Sequence, residues 1–323
     1  MSTLETYEAI KEWKKENIYS HLSDTISLNS FHDTVMLNVF EIAVAKQNRE
    51  KPPCNFCWFI AGSGGRCEQG LISDQDHGII YQTCSDENRD YFLELGKEIS
   101  YGLSSVGYPY CKGNIMSSNP LWCKSLDEWK NQLNSWMDEG SWESIRNLQI
   151  FFDSRCLSGE TRYVEELKAD IFAFQEKNPF LLKRLMENVM HIKKAISPLG
   201  QILVSKTGEH TGAIDLKYSA FIPYVNAVRI LSIKEGLTET STDDRMKRLS
   251  LMPLYEKILE TSAENFQRLL QCRLSLSQVA VYEDTHFLNV NELNREQKKE
   301  IKRILKDGEK LHHFVINLIK KGV

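Results

Sequence analysis

Asp74 and Asp76 stand one residue apart in the stretch "AGSGGRCEQGLISDQDHGII" (61–80). In an extended segment, side chains two apart point to the same face. The two carboxylates therefore project together, with Gln75 on the opposite side. Like charges that close repel, and loss of water disfavours both. The pair calls for a cation, and its hard oxygen donors suit Mg²⁺, which keeps water and phosphate oxygens in its shell. Just upstream, "GSGGR" follows an apolar run. Gly62 and its neighbours let the backbone turn and approach a ligand closely. A helix beginning there would aim free N–H groups at a phosphate. Ser63 adds a hydroxyl, and Arg66 adds a forked donor for phosphate oxygens. A third carboxylate, Asp153, ends the apolar run "IFF". That run reads as a buried strand, and an acid at its end needs a partner. On a neighbouring strand Asp153 would meet the same metals. Three carboxylates around two divalent ions orient an attacking oxygen and neutralise charge on phosphorus. Taken singly, each signal has an ordinary alternative: a plain turn, a solvated Asp-x-Asp, a capping aspartate.

The elements that must position these residues follow from periodicity. Residues 3–22 and 30–47 predict two leading amphipathic helices, and "KPPC" stops the second. "NFCWFIAGSGG" reads as a strand running into a turn, and "GIIYQT" as a second strand starting near Asp76. Residues 86–105 read as a helix ending before Gly107, and 107–122 as a long polar loop. Ser125 and Glu128 form a capping box for "LDEWKNQLNSWM", whose Trp129, Leu133 and Trp136 share a face that reads as core. "NLQIFFDSRCL" (147–157) reads as a third strand, and from about 160 onward the pattern is nearly all helical. The expected fold class is α+β: a small mixed-sheet core with leading helices, then an all-α helical bundle. The expected divisions are 1–50 for helices packing on the core, 51–160 for the catalytic domain and 161–323 for a substrate-binding domain.

Composition narrows the function classes. The 323 residues are 41% hydrophobic and 26% charged, with net charge −4 and pI about 6.1. This is not the electrostatic footprint of a nucleic-acid binder. No apolar run approaches the roughly 18 residues of a membrane span, and the N-terminus lacks the order of a signal peptide. The eight cysteines therefore read as reduced thiols of a cytoplasmic protein. Cys54 and Cys57 have zinc-like spacing, but no second pair completes the four ligands.

Gly62-Ser63 followed by Asp74-Gln75-Asp76 resembles the signature of the polymerase-beta-like nucleotidyltransferase superfamily. "GSGGRCEQGLISDQDHGIIY", "GYPYCKGNIMSSNPLW", "SLDEW", "FFDSRCL" and "AIDLKYSAFIPYVNAVRIL" are similar to the branch related to the bacterial PII-protein uridylyltransferase. The resemblance covers roughly 28–320. It implies a short mixed sheet flanked by helices, followed by a helical substrate-binding domain. It implies that Gly62 and Ser63 hold the triphosphate, and that Asp74, Asp76 and Asp153 bind two Mg²⁺ ions, with Mn²⁺ able to substitute. The implied reaction transfers a nucleoside monophosphate from an NTP to a hydroxyl acceptor on a protein or small molecule, in a signalling role. Asp153 would help activate the acceptor oxygen. Gly64 stands where this branch has a glutamate, and the CBS and cyclic-nucleotide-binding modules often fused to it are not visible here.

Lys112 and Asn119 in the long loop, and Lys217 in the helical half, are candidate nucleotide contacts; solvated loop residues and a surface ion pair with Asp215 are the alternatives. His77 would point away from the acidic pair, and His191, His312 and His313 read as surface or edge histidines. The competing reading is a non-catalytic nucleotide sensor on the same fold, and a third is a helical scaffold whose α/β unit is a relic. Neither membrane nor nucleic-acid partners are expected.

Overall fold

β1 (Phe56–Ile60) reads "FCWFI", with no polar alternation, because helices cover both of its faces. The structure, a computed structural model, describes residues 4–47, 51–275 and 282–322. Contacts divide it into two units, 1–171 and 172–323.

In the first unit, α1 (Tyr7–Asn17) and α2 (Thr25–Ala45) lead into β1. A four-residue helical turn, α3 (Gly62–Gly65), and a loop follow, then β2 (His77–Tyr81) and α4 (Asp86–Ser105). β3 (Cys123–Ser125), α5 (Leu126–Glu139), α6 (Trp142–Phe152), β4 (Arg155–Gly159) and α7 (Arg162–Lys177) complete the order. The sheet order is β3-β2-β1-β4. β1 is antiparallel to β2 and β4, and β2 is parallel to β3. Phe40 of α2 stacks on Trp58 at 4.9 Å and Phe92 of α4 on Tyr81 at 4.9 Å, covering one face. On the other face Phe59 meets Trp129 of α5 and Phe151 of α6, each at 5.6 Å. The indole N–H of Trp129 donates to Ile79 O at 3.0 Å, which satisfies the polar atom that the buried ring carries inward.

The second unit is built around α9 (Ile222–Lys234), every residue of which from Pro223 to Ile233 is buried. Its mostly apolar surface suits a central helix, and its buried polar residues are paired along it: Arg229 donates to Asn226 Oδ1 at 2.7 Å and the Ser232 hydroxyl to Val228 O at 2.8 Å. α8 (Phe180–Val189), α10 (Thr242–Ser250) and α12 (Arg295–Lys320) pack on it, and α11 (Pro253–Ser275) packs on α10 and α12. No helix among the described residues is long and apolar enough to cross a membrane.

The mixed-sheet core and the helical second half are both present, and three local readings change. Residues 147–152 belong to α6, not to a strand; the strand β4 begins only at Arg155. Ser141 caps that helix, and Ile145, Leu148, Phe151 and Phe152 are buried at helical spacing. A short apolar run at a buried helix end carries no periodicity that separates it from a strand. The helical half also contains a two-stranded ladder, β5 (Ala213–Asp215) against β6 (Phe287–Asn289). His312 is buried and bonds Val189 O at 3.0 Å, so it is not a surface histidine.

The Ser125 capping box forms as its residues dictate: its hydroxyl accepts from Glu128 N–H, and the Glu128 carboxylate accepts from Ser125 N–H at 2.9 Å. Ser125→Ala is expected to cost about 1–2 kcal/mol, read as a lower urea midpoint with unchanged slope.

Candidate functional site

Gln75 organises the acidic pair from behind. Its side chain is fully buried. Its amide donates to Ser100 O at 3.1 Å and to Tyr108 O at 3.0 Å, and its Oε1 faces His77 Nε2 at 2.9 Å. On the far side of the ring, Trp58 Nε1–H donates to His77 Nδ1 at 3.3 Å. That assignment makes His77 a neutral ring with its proton on Nε2. Burial holds its pKa down at about 3. With the residue between them anchored inward, Asp74 and Asp76 emerge on the same face, both half-buried.

A short parallel bridge between Gln75 and Tyr110 carries the long loop past this pair, with Gln75 N–H donating to Pro109 O at 3.2 Å. Cys111 is thereby delivered to the carboxylates: one ligand atom from each of Asp74, Asp76 and Cys111 lies within 4.8 Å of the others. Two unit charges at that spacing repel by about 3 kcal/mol at an effective dielectric of about 20. The Cys111 thiol is pushed up to about 12, by burial first and then by the Asp76 charge and hydrogen bond. It stays protonated beside the acids. The two carboxylates are the hard oxygen donors of the cluster and by themselves fit a hard divalent cation, a preference to which the thiol does not contribute.

The glycine turn is wedged between two aspartates. A Cβ on Gly62, whose φ is +56°, would run into the Asp76 carboxylate, and one on Gly65 would strike the carbonyl oxygen of Asp153. Ala61 N–H donates to Asp76 O at 2.8 Å, which locks the turn to the acidic segment. The turn's own bonds begin at Gly65 N–H to Ala61 O, so the N–H groups of residues 62–64 precede its first internal bond. Ser63 Oγ lies 3.4 Å from Ser73 Oγ. The loop back to Asp74 is pinned to α2: Asn29 Oδ1 accepts from Gln69 N–H at 3.0 Å, and His32 Nε2 donates to Gly70 O at 3.0 Å.

Asp153 caps the C-terminus of α6 and is fully buried. Its carboxylate accepts from Arg66 Nη1 at 2.8 Å, while Arg66 Nε donates to Glu68 at 2.7 Å. Arg66 is thus clamped by two buried acids, whose charges hold its pKa up against burial. Asp153 is not among the three residues of the acidic cluster. Lys112 is exposed in the loop beside Cys111. Asn119 braces that loop, donating to Asn114 O at 2.9 Å and accepting from Leu121 N–H at 3.0 Å. Lys217 opens a π-helical turn (Lys217–Phe221) of the second unit, near the ring of Tyr282. Asp215 caps the backbone N–H of Tyr218 at 3.2 Å and pairs with Lys193 at 3.6 Å. Cys111 is the member that sequence reasoning missed. It reads locally as a small core residue, and its register against Asp76 is set by a bridge between distant segments.

Comparison with known families gives two matches. Residues 18–143 match the family described as "Putative nucleotidyltransferase DUF294", and residues 179–317 match "Putative nucleotidyltransferase substrate binding domain". No curated protein matches the chain.

Asp153→Asn leaves the buried Arg66 guanidinium short of a counter-charge and is expected to cost about 3–5 kcal/mol in urea unfolding. Asp74→Asn relieves repulsion and is expected to leave stability unchanged or raised. His77 has a folded pKa below its unfolded one, so its neutral form is favoured by folding. That stability is complete above about pH 6.5 and falls by about 1.4 kcal/mol per unit as pH drops toward 3. The pH slope of the urea midpoint below 6.5 is expected to be shallower in His77→Gln.

Proposed function

This chain belongs to the family described as "Putative nucleotidyltransferase DUF294", and on that premise we propose that it moves a nucleoside monophosphate from an NTP to a hydroxyl acceptor on a regulatory protein. The acceptor oxygen bonds to the α-phosphorus as the bond to the leaving pyrophosphate breaks. The observation that carries this reading is the acidic pair abutting the glycine turn: the Gly62 backbone rests directly on the Asp76 carboxylate. A phosphate held by the turn's N–H groups and a cation held by Asp74 and Asp76 would be immediate neighbours.

Mg²⁺ fits the two carboxylates by donor type. When bound, a divalent cation neutralises phosphate charge and orients the attacking oxygen. The chain's own residues supply the rest. Asp74 and Asp76 hold the cation, and the N–H groups of residues 62–64 and the Ser63 hydroxyl receive phosphate oxygens. Gln75 and His77 keep the acidic pair in place from the buried side. Asp153 acts through Arg66 as a positioning residue, fixing the C-terminal end of the turn. Lys112, in the loop beside Cys111, is the candidate for the phosphate tail, and Lys217 belongs to the substrate-binding half.

One observation favours a second reading. The Asp153 carboxylate is engaged by Arg66, which leaves two carboxylates in the cluster. A site with two carboxylates can hold a cation and an NTP without transferring anything, as a nucleotide sensor would.

The deciding experiment incubates the chain with NTPs labelled at the α-phosphate, Mg²⁺ and lysate. Labelled protein is expected, abolished by EDTA. Asp74→Asn and Asp76→Asn are each expected to lower transfer about a thousandfold, corresponding to roughly 4 kcal/mol of transition-state stabilisation. Tight Mg-NTP binding with no transfer by the unaltered chain would instead establish the sensor.

A further inference from the structure

A second concave site lies wholly within the second unit, between α11 and the outer face of α12. It is a groove largely open to solvent, of about 470 Å³, a volume within the range of small-molecule sites. Lys302, Arg303, Lys306 and Lys310 line it at helical spacing. Like charges three and four apart on a helix repel, and none of these four is in an ion pair among the described residues. The neighbouring cations are already occupied: Lys299 is 3.1 Å from Glu296, and Arg268 bridges Glu264 and Glu300 at 2.9 Å each.

The opposite wall holds the second observation. Asn265 of α11 is 1% exposed, and its Nδ2 has no hydrogen-bond partner. Buried amide donors are nearly always satisfied, and an open one is costly. This one lines the cationic cavity. The donor lies behind the groove wall, and an acceptor oxygen admitted by a small side-chain movement would satisfy it while meeting the lysines.

The chemistry of the remaining lining selects among anions. Asp307 shares the groove with the cations, and its Oδ2 accepts from the buried Tyr224 hydroxyl at 2.9 Å. Its carboxylate would repel a bare polyanion but would accept from a ligand hydroxyl. Thr261 offers a hydroxyl on the facing helix. Cations, an open amide donor and one carboxylate together describe a ligand that carries both phosphate and hydroxyl groups. A hexaglutamate peptide laid over the exposed lysines would bring no side-chain hydroxyl to Asp307. We propose that this groove binds an organic phosphate of nucleotide size, at a site sharing no residue with the acidic cluster. The proposal does not rest on the transferase reading.

The test uses the full chain carrying Asp74→Asn and Asp76→Asn, in EDTA, so that the first site is disabled. ADP is titrated calorimetrically, with inorganic pyrophosphate and a hexaglutamate peptide as comparison probes. Saturable one-to-one ADP binding is expected, tighter than either comparison probe. Lys302→Gln with Lys306→Gln is expected to weaken it at least about tenfold, in line with the loss of charge-assisted bonds. Asn265→Leu is expected to weaken it similarly while leaving the ligand-free melting temperature equal or higher, a combination that a merely structural asparagine would not produce. Absence of saturable ADP binding, or binding indifferent to both sets of changes, would overturn the proposal. So would pyrophosphate binding as tightly as ADP, which would make the groove a simple anion patch. Hexaglutamate binding more tightly than ADP would assign it to an acidic protein segment instead.

Discussion

The first unit depends on one buried amide. Gln75 sits between two aspartates, and its side chain is held by two backbone carbonyls and by a histidine with a fixed tautomer. An extended chain alternates its side chains. Anchoring the middle residue inward therefore obliges its neighbours to emerge together on the other side. The repulsion between Asp74 and Asp76 is imposed by that anchor, and the bonds made by Gln75 and His77 offset it. A buried polar network of this kind is stable only when fully satisfied. Here the ring of His77 passes the network on to Trp58 of β1, an interior strand, so the acidic pair is tied to the middle of the sheet.

The glycine turn solves a problem of space. It lies between the Asp76 carboxylate and the Asp153 backbone, and side chains at Gly62 and Gly65 would collide with them. Arg66 closes the turn by reaching Glu68 and Asp153. A buried ion cluster is weak evidence for stability, since desolvation opposes attraction. Its geometric effect is larger: it couples the turn to the end of α6, two segments far apart in the chain. The turn, the acidic pair and the helix end thus form one connected frame at one end of the central strands β1 and β2, with the loop between them pinned to α2 by Asn29 and His32.

The second unit is built around α9, whose residues from Pro223 to Ile233 are all buried, the polar Asn226, Arg229 and Ser232 among them. Arg229 donates to Asn226 Oδ1 at 2.7 Å and the Ser232 hydroxyl to Val228 O at 2.8 Å, so these groups find partners within the helix. Along α12 a row of cations lies in front of Asn265, whose buried Nδ2 has no hydrogen-bond partner.

Much of this was legible in the residues. The leading helices, the strands around 58 and 79, the Ser125 capping box, the Trp129 face and the helical second half all follow from local period and capping chemistry. So does the shared face of Asp74 and Asp76, because strand alternation is a property of the chain itself. Contacts between distant segments were not legible. Residues 147–152 are helical because Ser141 caps them and both ends of their apolar face find partners, while the short run alone fits a strand equally well. Arg66 and Asp153 each looked suited to a ligand or metal, and the ion pair between them was not readable from either. Cys111 joined the acids through a one-residue bridge between Gln75 and Tyr110. The sequence by itself determined which side chains carry charge, how they alternate and where helices begin. Only the tertiary structure decided which charges meet, because buried charges take their partners through space, whatever their separation along the chain.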